Sequence, residues 1–240
     1  MEEDGIWKEN WKVPAFMVDT NQRIRLKSLA DILQELANNH ANFRKCGFED
    51  MKSNGKFWVL NRQVIIIDQW PIWEQQLHVE SWISMMKGPF SLRHFAVTNM
   101  QGQMMVRASY LWTCIDKEKK KPSTIPDGDF PVIEKRAFEV PQPYKLKLSG
   151  DEISKNTYSV RDSDLDIIGH TNNASYLEWA ANNIDRRKFD YHRIDANYTG
   201  ESFKGDEISI SLLKSSDSER IIEISNHSQK SLFKCKLHLK

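Results

Sequence analysis

Twice along the chain a strand-like segment leads into an amphipathic helical stripe and then into a series of further strand-like segments, and this repeated order limits the folds open to it. In the first half, Trp11 to Val18 has strand character and Asp19-Thr20-Asn21 reads as a turn. Leu29, Ile32, Leu33, Leu36, His40 and Phe43 then share one helical face, and that helix should stop near Gly47. Runs rich in β-branched and aromatic residues follow at Lys56 to Asp68, Gln76 to Ser84, Phe90 to Asn99 and Met104 to Ile115, punctuated by Gly88-Pro89 and Gln101-Gly102. In the second half, Ile153 to Val160 precedes a helix from Asn173 with Tyr176, Leu177, Ala180, Ala181 and Ile184 on one face. Asn197 to Glu201, Glu207 to Leu213, Arg220 to Asn226 and Leu232 to Leu239 read as its strands. A helix beside several antiparallel strands predicts α+β units, each with its helix packed on one sheet face.

Between the halves, Asp116 to Gly150 carries Pro122, Pro126, Pro131, Pro141 and Pro143 among many charges and reads as a connector. The expected division is therefore 1–117, a linker over 118–150, and 151–240. Placing Lys27 on His170 also aligns Ile24 with Ile167, Glu35 with Glu178, Ala37 with Ala180 and Asn39 with Asn182. In that register Lys27 replaces His170 and Arg23 replaces Asp166, so the two halves together hold at most one site of this kind.

With 34 basic and 33 acidic residues, charge gives no push toward nucleic acid or an anionic membrane. The longest aliphatic run, Val64 to Ile67, is far short of the ~20 residues of a membrane helix. Cys46, Cys114 and Cys235 are odd in number and widely spaced, which suits a reducing cytoplasm better than a disulfide framework or a zinc site. The acidic start Met1-Glu2-Glu3-Asp4 has the character of neither a signal peptide nor a transit peptide. No metal and no organic cofactor is expected, since neither a ligand cluster nor a glycine-rich phosphate loop is legible. A homodimer is compatible with all of this.

Chemistry is densest between Arg161 and Trp179, where Asp166, Gly169 and His170 stand just ahead of a helix that Thr171, Asn172 or Asn173 can cap. Backbone N–H groups at such a helix start can stabilise an oxyanion. Asp166 and His170 can equally decorate a capped loop for local reasons.

Asp166, His170, Asn172 and Asn173 match an Asp-x-Asn-x-His-x-Asn-Asn run, and with it the chain resembles the acyl-acyl-carrier-protein thioesterases of plants and bacteria. The resemblance extends over Trp58-Val59-Leu60-Asn61-Arg62, Ile67 to Trp73, Val79 to Trp82 and Arg107 to Trp112, and it runs from about Asn21 to about Glu207. It implies a tandem (double) hot-dog fold with catalysis in the second half and hydrolysis of fatty acyl carrier protein in fatty acid biosynthesis. By the same resemblance Glu201 is the general base, His170 its partner, and Asp166 the residue that fixes the histidine or its loop. Asn172 and Asn173 would bind substrate. Ile168 departs from the pattern, standing where the family has an asparagine. Ser202 stands where many plant relatives have a cysteine, and no cysteine nucleophile is expected. The basic runs Lys117 to Lys121 and Arg186 to Lys188 are ordinarily solvated faces, but they would suit an acidic carrier protein. Trp58, Trp73 and Trp112 suit core packing or an acyl channel, and His40 suits a core. Two rival functions remain at this point: an acyl-coenzyme A thioesterase of hot-dog type, and a non-catalytic acyl-binding or regulatory module.

Overall fold

A computed structural model gives the fold and describes every residue except 127, 129, 135, 148 and 186–189. The chain divides into two compact units, Met1–Pro143 and Tyr144–Lys240. The first contains β1 (Glu2–Glu3), β2 (Ile6–Lys12), α1 (Leu26–Phe43), α2 (Phe48–Ser53), β3 (Lys56–Ile67), β4 (Gln76–Lys87), β5 (Phe90–Asn99), β6 (Met104–Asp116) and β7 (Lys121–Pro122). Its strands lie in the order β1-β2-β4-β5-β6-β3, all antiparallel, with β7 on the end of β6. The second contains β8 (Asp151–Ser159), α3 (Asn173–Asn182), β9 (Tyr191–Tyr198), β10 (Glu207–Lys214), β11 (Glu219–Asn226) and β12 (Ser231–Leu239). Its order is β8-β10-β11-β12-β9, the same path as β2-β4-β5-β6-β3. Two hot-dog units in tandem are the result.

In the first unit, α1 buries Leu26, Leu29, Ala30, Ile32, Leu33, Leu36, Ala37 and His40 along one face. Each leucine or isoleucine there contributes roughly 1.5–3 kcal/mol. His40 is anchored because Arg93, itself buried in β5, donates to its Nδ1 at 2.8 Å and to Ser81 Oγ at 3.0 Å. Burial, and then the charges of Arg93 and Arg44, hold its pKa down at about 3, so the ring is a neutral acceptor. Phe43, expected on the same stripe, is exposed and packs its ring 5.4 Å from that of Trp7.

Several boundaries differ from the sequence pattern. The first long strand is Ile6–Lys12, not Trp11 to Val18, because Pro14 has no N–H to give a ladder and a 3-10 turn follows at Ala15–Met17. The strand expected at Asn197 to Glu201 is Tyr191–Tyr198; beyond it the N–H groups of Thr199 and Gly200 both donate to Leu232 O, at 2.8 and 3.1 Å. α2 was not legible as a separate helix. The proline-rich stretch after β7 is pinned to the first unit: Ile133 N donates to Ile83 O at 2.8 Å, and Arg136 pairs with Glu80 while lying 4.9 Å over Trp82. From Tyr144 the chain belongs to the second unit, where Asn197 accepts from Leu146 N at 2.8 Å and donates to Tyr144 O at 3.0 Å.

Hydrogen bonds fix how the halves correspond. Asp19 Oδ1 accepts from the N–H groups of Asn21 and Arg23 at 2.8 and 3.1 Å, and Asp166 Oδ1 accepts from Ile168 and His170 at 3.0 and 3.1 Å. Arg25 and Asn172 are the N-caps of the helices that follow. Asp19 therefore matches Asp166 and Arg23 matches His170, which corrects the assignment of Lys27 to the histidine position and of Arg23 to the aspartate position. The mistaken register is off by four residues, close to one helical turn, a slip that leaves an amphipathic pattern nearly unchanged. Ile24 N donates to Pro71 O at 2.8 Å just as Thr171 N donates to Ser202 O at 2.9 Å, so buried Trp70 occupies the position of Glu201.

Candidate active site

The site is built at the start of α3. Asn172, of the three candidates, is the cap: its Oδ1 accepts from Ala174 N at 2.9 Å and its carbonyl from Ser175 N at 2.9 Å. Asn172 N and Ser175 Oγ both donate to Asp164 O, at 2.8 and 3.0 Å. The buried Asp164 carboxylate is held in turn by Arg161 N at 2.8 Å and Tyr158 OH at 2.9 Å. The helix start is thereby tied to the 3-10 turn Asp162–Asp164, and its direction is set before any substrate arrives.

Asp166 organises the loop between them. Its carboxylate closes an Asx turn on two backbone N–H groups, and Gly169 in that turn has φ +83°, a left-handed geometry that favours glycine. The carboxylate thus bonds the backbone of His170. Of the two roles the resemblance allowed, fixing the loop is the one this geometry serves.

His170 and Glu201 come together from segments 31 positions apart, with Nδ1 to Oε1 at 3.8 Å. The bridge between His170 and Phe203 and the Thr171 to Ser202 backbone bond hold the two segments side by side. Phe203 presents its ring to the imidazole edge-on at 5.1 Å. The side chains of His170 and Glu201 are 31% and 52% exposed, so water reaches both.

The backbone N–H groups that a helix start can offer an oxyanion are largely committed. The N–H groups of Asp166, Ile168, Gly169, His170, Thr171, Asn172, Ala174 and Ser175 all donate within the protein. Asn173 starts the helix, and its carbonyl accepts from Tyr198 OH at 3.2 Å. Ile168 is half exposed and brings no polar side chain, and with Ile167 and Phe203 it gives the site an apolar rim.

Sequence reasoning missed the hydroxyls behind the site. Thr171, Tyr176 and Ser202 are all buried and mutually hydrogen-bonded, and the only signal was that two of them adjoin His170 and Glu201. Ser202 is fully buried, so it offers no nucleophile. The three cysteines are free and buried, and burial pushes the Cys46 thiol up to about 11 and those of Cys114 and Cys235 upward as well. Trp58 packs with the cluster of Cys46, Met51 and Cys114, while Trp73 is exposed. Lys117 and Lys119 to Lys121 are exposed around the turn between β6 and β7. Arg186, Arg187 and Lys188 lie outside the described residues. Among the described residues, no group of three or more His, Cys, Asp or Glu could hold a metal ion, and no helix is long and apolar enough to cross a membrane.

Comparison with known proteins agrees with this architecture. Residues 4–130 match the model of the acyl-ACP thioesterase N-terminal domain, and residues 148–239 match that of the C-terminal domain. The chain belongs to the acyl-ACP thioesterase family. Within it, an acyl-[acyl-carrier-protein] hydrolase of Cuphea viscosissima is 26% identical over 74% of this chain and 47% of its own length. A palmitoyl-acyl carrier protein thioesterase of Gossypium hirsutum is 25% identical over 81% of this chain and 51% of its own. The chain therefore spans about half the length of these curated plant relatives. The crystal structure of an acyl-ACP thioesterase from Bacteroides thetaiotaomicron is 25% identical, covers 99% of this chain and 98% of its own, and superposes with a TM-score of 0.88. A 12:0-ACP thioesterase from Umbellularia californica shares the fold at 17% identity and a TM-score of 0.81, with 100% of this chain and 98% of its own covered.

Proposed function

We propose that this chain hydrolyses the thioester of a fatty acyl group on acyl carrier protein, releasing free fatty acid and carrier protein, at a single centre in the second unit. The observation that carries the reading is the His170–Glu201 pair, 3.8 Å apart beside a capped helix start, in a member of this family. The first unit has Arg23 and Trp70 at the matching positions and cannot offer the same base, so its role is to bind substrate. His170 and Glu201 come from one chain, and a second copy is not needed for the chemistry. Free cysteines support a reducing, cytoplasmic setting.

Glu201 takes a proton from water as the oxygen attacks the thioester carbonyl, and His170 orients that water or shares its proton. The thiolate of the carrier's prosthetic arm leaves without much help, because thiolates are good leaving groups. The carbonyl oxygen gains negative charge and needs donors. With most of the loop's backbone N–H groups committed, the side-chain amide of Asn172 supplies one. Asn172 oxygen is used by the cap, which leaves its amide nitrogen to serve the substrate. Asp166 holds the loop.

Release of fatty acid from a ladder of acyl-carrier-protein substrates, with the same acyl groups on coenzyme A alongside, tests this. Faster turnover on carrier protein is expected. Equal or faster turnover on coenzyme A would overturn the substrate assignment, and tight binding without turnover would make the chain an acyl-binding module.

A further inference from the structure

Directly behind the reacting pair, three buried hydroxyls make a hydrogen-bonded circuit whose direction follows from counting hydrogens. Thr171 Oγ1 donates to Ser202 O at 3.0 Å and also lies 2.8 Å from Ser202 Oγ. Tyr176 OH lies 2.7 Å from the same Ser202 Oγ. A hydroxyl has one hydrogen to give. Thr171 has spent its own on the carbonyl, so Ser202 must donate to Thr171. Ser202 has then spent its hydrogen, so Tyr176 must donate to Ser202. The chain runs Tyr176 to Ser202 to Thr171 to the Ser202 carbonyl, which also receives Thr171 N–H at 2.9 Å.

Every hydroxyl in this circuit donates once, and none is left over for proton transfer at the surface. Its members nevertheless flank the chemistry, because Thr171 follows His170 and Ser202 follows Glu201. Tyr176 extends the circuit into the core, where its ring stacks on Phe233 at 5.4 Å. All three residues are buried, so losing one donor or acceptor leaves its partner unsatisfied away from water.

We propose that Thr171, Ser202 and Tyr176 are positioning residues that set the separation of His170 from Glu201. The inference rests on the reading of that pair as the reaction centre. A 3.8 Å gap is too long for a direct hydrogen bond between them, so contact with each other does not hold the two side chains in place. The backbone segments carrying them are clamped instead, and the hydroxyl circuit is the side-chain part of that clamp. Clamping of this kind should act on kcat and leave ground-state binding alone, because small displacements of a reacting group cost rate steeply.

The test compares Thr171→Val, Thr171→Ser and Tyr176→Phe with the intact chain and Glu201→Gln, using an acyl-carrier-protein substrate. Thr171→Val keeps the shape and removes the hydroxyl; it should lower kcat by about 10-fold or more with little change in KM. Thr171→Ser should restore most of that loss. Tyr176→Phe keeps the ring stack and should lower kcat by a smaller factor, and it decides the matter if Thr171→Val does not fold. A folded Thr171→Val enzyme with wild-type kcat would overturn the proposal, as would a Thr171→Ser variant no better than Thr171→Val. An intact chain without turnover, or an active Glu201→Gln variant, would instead bring down the underlying assignment of the reaction centre, and this inference with it.

Discussion

At the scale of single residues, Glu201 and His170 lie at the surface, and replacing them should affect chemistry more than folding. Glu201→Gln keeps the size and loses the carboxylate of the proposed base, and His170→Ala removes the imidazole; each should lower kcat by about 10²-fold or more. Arg23→Ala, at the matching place in the first unit, should not. Steady-state kinetics on the three variants, with circular dichroism to verify folding, checks this, and equal losses in His170→Ala and Arg23→Ala would contradict a single centre. Cysteine chemistry gives a second residue-scale expectation. With burial pushing the Cys46 thiol up to about 11, its thiolate is scarce at pH 8. Folded protein should therefore resist a thiol reagent at that pH and keep its activity, and the triple Cys→Ala variant should keep most of its kcat. Rapid labelling that kills the enzyme would revive a thiol mechanism.

At the scale of elements, the loop before α3 is held by one carboxylate acting as an acceptor. Asp166→Asn retains an oxygen for the N–H groups of Ile168 and His170, whereas Asp166→Ala leaves both without it. The alanine variant should lose about 1–2 kcal/mol of stability and most of its turnover, while the asparagine variant should keep most of both. Equal behaviour of the two in urea titration and kinetics would show that the charge, not the turn, is what Asp166 provides. The Asn172 cap obeys the same logic, and Asn172→Ala should cost about 1 kcal/mol.

At the scale of the molecule, two buried histidines make the first unit sensitive to acid. Burial lowers His94 to about 4, between Ser109 Oγ at 2.5 Å and Ser84 Oγ at 2.6 Å, and His40 stands at about 3. Unfolded histidine takes a proton near pH 6.5, so between there and about 4 the unfolded chain binds more protons than the folded one. Stability is full above pH 6.5 and falls as the pH drops through that window. Asp195 acts lower down: burial opposes its charge, but His238 and Arg193 hold it below the usual carboxylate range, and its contribution is lost only in stronger acid. The urea midpoint should thus drop between pH 7.5 and pH 5, and less steeply in His94→Gln. The exposed turn at Lys119 to Lys121 is where the proposed docking of an acidic carrier protein can be tested. Neutralising these three lysines should raise KM for acyl carrier protein and weaken its salt dependence. Unchanged KM and salt slope would remove this turn from the docking surface.

The sequence by itself determined the α+β class, most of the strands, and the Asp166 to Asn173 loop, because these rest on local periodicity and turn chemistry that neighbouring residues express directly. The resemblance carried by that loop, and by segments in the same order elsewhere, pointed to the family and singled out Glu201. Only the tertiary structure decided the correspondence of the halves, since helical periodicity tolerates a slip of one turn whereas the hydrogen bonds of Asp19 and Asp166 do not. It also decided that Arg23 and Trp70, not Lys27, mark the altered site. The end of β9 at Tyr198 was hidden because Leu232 O, distant in sequence, takes the N–H groups of Thr199 and Gly200. The Thr171, Tyr176 and Ser202 circuit was hidden for the same reason: a hydroxyl's partner is set by which segments pack together, and nothing in the spacing of three ordinary polar residues announces it.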